Sequence, residues 1–243
     1  SIQAAVNLAN EGDEIIVSEG TYTGQGNYNI YFLGKEVHLH SSGAAENTII
    51  DAEDQHGRRI FVFEPHGDYS GATANTVIES LTIANGYFNN GSDGAGVYIS
   101  DASPTFNDCI IRDNNLYHYT EHSSPYGAGV KIHNSSSTFT NCQIINNRSE
   151  AVVNHHDSYH AFARGAGMFI SGSGSNISLD ECLISSNESH SHDVNSNGNS
   201  KGYSHGAGIY HEDGTLNILN TEISNNMLNG DGHNLTFEGG GLY

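Results

Sequence analysis

Apolar residues along this chain come in short runs rather than in stripes. Val97-Tyr-Ile99, Val130-Lys-Ile132 and Cys109-Ile-Ile111 are separated by turn-forming residues. An apolar period near two over so few positions predicts a short, half-buried strand. Only the start of the chain reads as a helix. Ile2, Ala5, Val6 and Ala9 fall on one helical face, Ser1 stands where an N-cap belongs, and Gly12-Asp13 breaks the pattern. Short strands are expected after it around Ile15–Val17, Val37–Leu39, Ile49–Ile50, Ile60–Phe63 and Val77–Ile83.

The runs recur. A small-residue triplet followed by apolar residues appears at Gly94-Ala-Gly-Val97, Gly127-Ala-Gly-Val130, Gly165-Ala-Gly-Met168, Gly206-Ala-Gly-Ile209 and Gly239-Gly-Gly-Leu242. A second signature follows each full copy: Phe106-Asn-Asp-Cys109-Ile-Ile111, Phe139-Thr-Asn-Cys142-Gln-Ile144, Leu179-Asp-Glu-Cys182-Leu-Ile184 and Ile218-Leu-Asn-Thr221-Glu-Ile223. An Asn closes each one, at Asn114, Asn147, Asn187 and Asn226. A single unit of this kind cannot bury its apolar face, but stacked units can, each strand pairing in parallel with its equivalent in the next. Like residues then lie on like. The expected inward ladders are Ala95/Ala128/Ala166/Ala207, Ile99/Ile132/Ile170 and Cys109/Cys142/Cys182 with Thr221 next in line. The closing Asn residues are expected as an amide ladder at a corner, where Asn tolerates left-handed turn geometry. The fold class that follows is all-β: a parallel β-solenoid with a short N-terminal capping helix and stacked loop inserts on one edge.

The residues that open the chain carry a resemblance. Ser1-Ile-Gln-Ala-Ala-Val6, Gly12-Asp-Glu-Ile-Ile-Val17, Glu19-Gly-Thr-Tyr22, Asn29-Ile-Tyr-Phe-Leu-Gly-Lys35 and Asn47-Thr-Ile-Ile-Asp51, with the later repeats, resemble bacterial right-handed parallel β-helix repeat proteins of the pectin-lyase-like superfamily. The repeats are distantly similar to those of chlamydial polymorphic outer-membrane proteins. The resemblance covers essentially the whole chain. It implies a right-handed parallel β-helix, with residues 1–93 as capping helix and first irregular coils and residues 94–243 as regular repeats of one continuous domain. It also implies a secreted or surface-anchored module. Polysaccharide lyases and glycoside hydrolases share the fold, so the fold alone does not exclude catalysis.

Composition sharpens this picture. Twenty-eight acidic residues against eight Lys plus Arg leave a formal charge of −20, which argues against nucleic acid or anionic lipid as a partner. No apolar run is long enough to span a membrane. The eight cations look scattered, with no cationic groove for a uronate substrate. The outward acids Asp108 and Glu181 are interrupted by Asn141, so no glycosidase pair is evident. The expected function is therefore an extracellular or cell-surface structural or adhesive module without its own catalysis, binding surface glycans or proteins or associating head-to-tail into fibres. A carbohydrate-active enzyme is the alternative.

Unlike those compact repeats, these carry inserts after each closing Asn: residues 115–126, 148–164, 188–205 and 227–238. They hold 59 residues and nine of the 15 His. Stacked units would bring them together on one edge, rich in His and Tyr. Imidazoles with carboxylates suit a divalent metal such as zinc, copper or nickel. The candidate ligands are His118, Glu121 and His122 in the first insert, His155, His156, Asp157 and His160 in the second, and His190, His192 and Asp193 in the third. No known metal-site spacing is present, and histidines carried by polar composition alone are the competing reading.

Overall fold

The computed structural model describes residues 1–65, 71–89, 93–119, 123–153, 160–193, 201–232 and 234–243. Strands this short must turn soon, and the turns repeat. At one corner of each repeat Ser80, Asp108, Asn141, Glu181 and Asn220 take left-handed backbone with φ of 45–54°. At the next, Asn85, Asp113, Asn146, Ser186 and Asn225 do so with φ of 56–59°. Short polar side chains that bond locally tolerate this geometry best, which accounts for the Asn- and Asp-rich corners. The ladder Asn is therefore not the left-handed residue; it follows that residue and points inward.

Among the described residues the strands form five parallel sheets, each joining equivalent strands of successive repeats. Sheet I includes Phe61–Phe63, Val97–Ser100, Val130–His133, Met168–Ser171 and Ile209–His211. Sheet II runs from Glu14–Val17 through His38–Ser41, Val77–Glu79, Thr105–Asn107 and Thr138–Thr140 to Thr215–Leu219. Sheet III runs from Gly20–Tyr22 through Ile110–Arg112 and Gln143–Ile145 to Glu222–Ser224. Sheets I–III draw strands from both the first 93 residues and the later repeats, and their inward side chains form one core. The Val77–Ile83 run is two strands, Val77–Glu79 and Thr82–Ala84, because Ser80 turns the chain between them.

Registers match the repeat spacing. Ile99 pairs with Ile132 and Ile132 with Ile170. Phe106 lies on Phe139, their rings stacked at 4.9 Å and 3°. Cys109, Cys142 and Cys182 are free thiols buried in the core. The four Ala of the triplets are buried too, but Ala95 and Ala128 pack with Leu116 and Phe88 in a cluster outside the main core.

The Asn ladder separates the two regions. Each amide donates to its successor's Oδ1, Asn114 to Asn147 at 3.0 Å, Asn147 to Asn187 at 3.0 Å and Asn187 to Asn226 at 2.9 Å. Each Oδ1 also accepts the backbone N–H of the Asn before it. The last glycine of each of the first four triplets lies against this ladder. A Cβ on Gly129 would come within 2.6 Å of the Gly167 carbonyl and 2.9 Å of the Asn147 amide.

The helix spans Ile2–Leu8 with Ser1 as its cap, and it buries Ile2 and Val6. Lys35 Nζ donates to the carbonyls of Val6, Asn7 and Ala9, satisfying acceptors that a helix C-terminus leaves unpaired.

The described residues of the inserts are mostly strand rather than loop, a correction to the sequence reading. Tyr87–Asn89, Asn115–Tyr119, Arg148–Val153, Glu188–Asp193 and Met227–Asp231 form sheet IV. His160–Arg164, Lys201–His205 and Leu235–Glu238 form sheet V. The two sheets pack on each other through small residues: Ala151, Val153, Ala161 and Ala163 form their own buried cluster. Ser204 Oγ donates to Ser191 Oγ at 3.0 Å inside it. A Cβ on Gly202 would meet Ser191 Oγ at 2.8 Å, so larger residues would hold the sheets apart. These Ser, Ala and Gly positions read in the sequence as loop composition, yet they are an interface.

Candidate metal centre and the insert face

Outward positions of sheet IV line up by their offset from the closing Asn. Glu188, His190 and His192 follow Asn187 by one, three and five residues, on one face of their strand. His190 pairs in register with Asn229, and His192 with Asp231, on the strand below. The result is a cluster of His190, His192 and Asp231 whose ligating atoms all lie within 4.8 Å of one another. His190 Nε2 stands 3.4 Å from Asp231 Oδ2, and His192 Nδ1 3.7 Å from the same oxygen. The two imidazoles lie nearly parallel, 6.3 Å apart.

The surroundings orient His190. Its Nδ1 faces Glu188 Oε1 at 3.3 Å, and that oxygen also accepts from Asn229 Nδ2 at 3.1 Å. Arg148 Nε lies 3.2 Å from the other Glu188 oxygen. The His190 side chain is 8 % exposed, and its buried Nε2 makes no hydrogen bond among the described residues.

The other predicted ligands are distributed differently. His118 Nδ1 accepts from the Ser124 backbone N–H at 2.9 Å, and burial lowers its pKa from the usual histidine value. His160 stands edge-on to Phe162 and Tyr203. Neither joins the cluster. Asp193 ends the strand that carries His190 and His192. Glu121, His122, His155, His156 and Asp157 lie outside the described residues. Asp231 was missed from sequence, although it follows Asn226 by the same five residues that separate His192 from Asn187.

A second group was also missed. Glu14, His38 and His40 meet on the outer face of sheet II. Here each imidazole Nε2 is matched to a carboxylate at hydrogen-bond distance, His38 to Glu79 at 3.0 Å and His40 to Glu14 at 2.9 Å. The signal was the His-x-His alternation at 38 and 40.

The cations are less scattered than the sequence suggested. On the outer face of sheet I, Phe169 and Tyr210 stack at 5.1 Å, Tyr210 and Tyr243 at 5.0 Å, and Tyr126 closes on Phe169 at 4.6 Å. Lys131 Nζ lies 3.8 Å from the Phe169 centroid, and Arg164 spans Phe162 and Tyr210. Arg59 sits over Phe88 and Tyr98. Burial lowers the pKa of Arg59 and Lys131 and raises that of Asp93, which lies 3.7 Å from Lys131. Burial, then the nearby Arg164 charge, also lowers the pKa of His205. Phe169 and Tyr210 are only 2 % and 9 % exposed, so most of this column fills the corner between sheets I and V, while Tyr243 at its end is 45 % exposed.

Partly exposed aromatics also occur on the insert sheets. Phe162 and Tyr203 stack at 4.8 Å and 9° on sheet V, and Tyr119 on sheet IV is 39 % exposed. Comparison of the chain with protein-family models, with curated proteins and with solved structures finds no match.

Proposed function

We propose that the paired repeats wind as a right-handed parallel β-helix and that the protein is an extracellular structural module, which holds a neutral glycan on its insert sheets without chemically altering it. Parallel strands joined by crossovers wind right-handed in nearly all proteins, which supports the handedness. The resemblance of the opening motifs to pectin-lyase-like repeat proteins supports the surface role. The observation that carries the reading is the insert pairing. Sheets I–III already enclose the main core, yet the chain adds sheets IV and V with a buried cluster of their own. That builds an ordered face in which the half-buried, mutually stacked Phe162 and Tyr203 stand with the more exposed Tyr119. Aromatic rings give a sugar apolar contact at low entropic cost. The charge of −20 favours a neutral polysaccharide over an acidic one.

Affinity electrophoresis through neutral and acidic polysaccharides, with an assay for reducing ends and unsaturated uronates, tests this. Retardation by a neutral polymer without product is expected, lost in the Phe162→Ser/Tyr203→Ser variant. Product formation would make the protein an enzyme. Absent retardation, or retardation indifferent to those substitutions, would overturn the glycan reading.

A further inference from the structure

The His190 environment leaves a buried ring nitrogen without a hydrogen bond, opposite a carboxylate. A neutral imidazole carries one N–H and one lone pair. Glu188 Oε1 is an acceptor beside Nδ1, so the N–H belongs on Nδ1. That leaves the lone pair on Nε2, buried and facing a carboxylate oxygen of Asp231, another acceptor. Two acceptors facing each other repel unless something positive sits between them; a proton on Nε2 would make a hydrogen bond that this geometry lacks, whereas a metal ion needs none. A metal-ligating histidine typically donates its other N–H to a carboxylate, as His190 does to Glu188.

Distances point the same way. Ligand atoms about 2.0–2.1 Å from a tetrahedral zinc ion lie ~3.3–3.4 Å apart. Asp231 Oδ2 is 3.4 Å from His190 Nε2 and 3.7 Å from His192 Nδ1, longer than a good hydrogen bond and close to a ligand–ligand edge. The Glu14/His38/His40 group lacks this feature, because its imidazoles already meet carboxylates at 2.9 and 3.0 Å.

We propose that His190 Nε2, His192 Nδ1 and a carboxylate oxygen of Asp231 bind one divalent transition metal, zinc above all, which clips the strand Glu188–Asp193 to the strand Met227–Asp231. Two imidazoles and one carboxylate select zinc, copper or nickel over calcium or magnesium. His192 and Asp231 are 32 % and 69 % exposed, so an ion can enter from solvent and water can complete its shell. Glu188 acts as a positioning residue through His190. The site stands independently of the glycan reading.

Untagged protein, stripped with a chelator, would be titrated with Zn²⁺ by calorimetry and with Co²⁺ by visible absorption. One ion per chain is expected, with the intense cobalt bands of tetrahedral coordination. Asp231→Asn and His192→Gln should each weaken binding by more than ~10-fold and abolish those bands. Glu188→Gln should weaken it ~10-fold while one ion still binds. Glu14→Gln/His40→Gln should change nothing. Circular dichroism of each variant checks that the fold is retained. No saturable binding by the unaltered protein would overturn the proposal. So would binding that survives Asp231→Asn, or that is abolished by His155→Ala/His156→Ala or Glu14→Gln/His40→Gln instead.

Discussion

Asn147→Ala is expected to lower the unfolding free energy by about 3–6 kcal/mol, enough to leave a protein of ordinary stability partly unfolded. Asn147 is fully buried at the middle of the amide ladder. Its Oδ1 accepts from the Asn114 backbone N–H at 3.1 Å and from Asn114 Nδ2 at 3.0 Å. Its Nδ2 donates to the Ile111 carbonyl and to Asn187 Oδ1, both at 3.0 Å. Alanine removes all four bonds and leaves their partners buried, where each unsatisfied group costs about 1–3 kcal/mol. Water cannot readily replace the amide, because the triplet glycines close over it. Asn141→Ala, at an exposed left-handed corner, should cost only about 1–2 kcal/mol. Urea midpoints compare the two. Equal costs would show that the ladder is not a principal support of the repeats.

Cys142→Asp is expected to cost about 3–5 kcal/mol, against ~1–2 kcal/mol for Cys142→Ala. Cys142 is inaccessible to solvent, and its thiol meets the Phe106 and Thr140 carbonyls and the neighbouring thiols of Cys109 and Cys182. An aspartate there would face acceptors, with no cation beside it. The same burial predicts a pH effect. Contact with the Cys109 thiol, and then burial, pushes the Cys142 thiol well up; contact with Cys142, and then burial, does the same for Cys182. An unfolded thiol titrates near ~8.5. Below that pH both states hold the proton and the stability is fully present. Above it the unfolded chain releases protons that the folded chain keeps, so stability falls as pH rises. Denaturant midpoints should therefore decline above about pH 8.5, and decline less in a chain with all three Cys changed to Ala. Rapid labelling of all three thiols in native protein would contradict the buried ladder.

Much of the fold was legible because the repeat spacing sets register. When Ile99, Ile132 and Ile170 recur at one place in each unit, parallel pairing is the way to bury them all, and a slip of one residue would turn each strand's apolar face outward. The same reasoning placed Cys109 on Cys142 and Asn114 on Asn147. It failed at the inserts, where pairing depends on Ala, Ser and Gly. Ala161 and Ser204 are buried because two sheets approach closely, and small residues carry no apolar period to announce it.

The candidate metal centre divides along the same line. That histidines and acids gather on the inserts was visible from counting, and His190 and His192 were singled out. The exclusion of His118 and His160, and the inclusion of Asp231, came only with the structure. Side-chain chemistry and the order of strands are properties of the linear chain. Which histidine turns inward, which acid on the next strand reaches it, and which face stays open are set by pairing between residues about forty positions apart. Sequence fixes the period of that pairing, but the closeness of the sheets decides which side chains it buries.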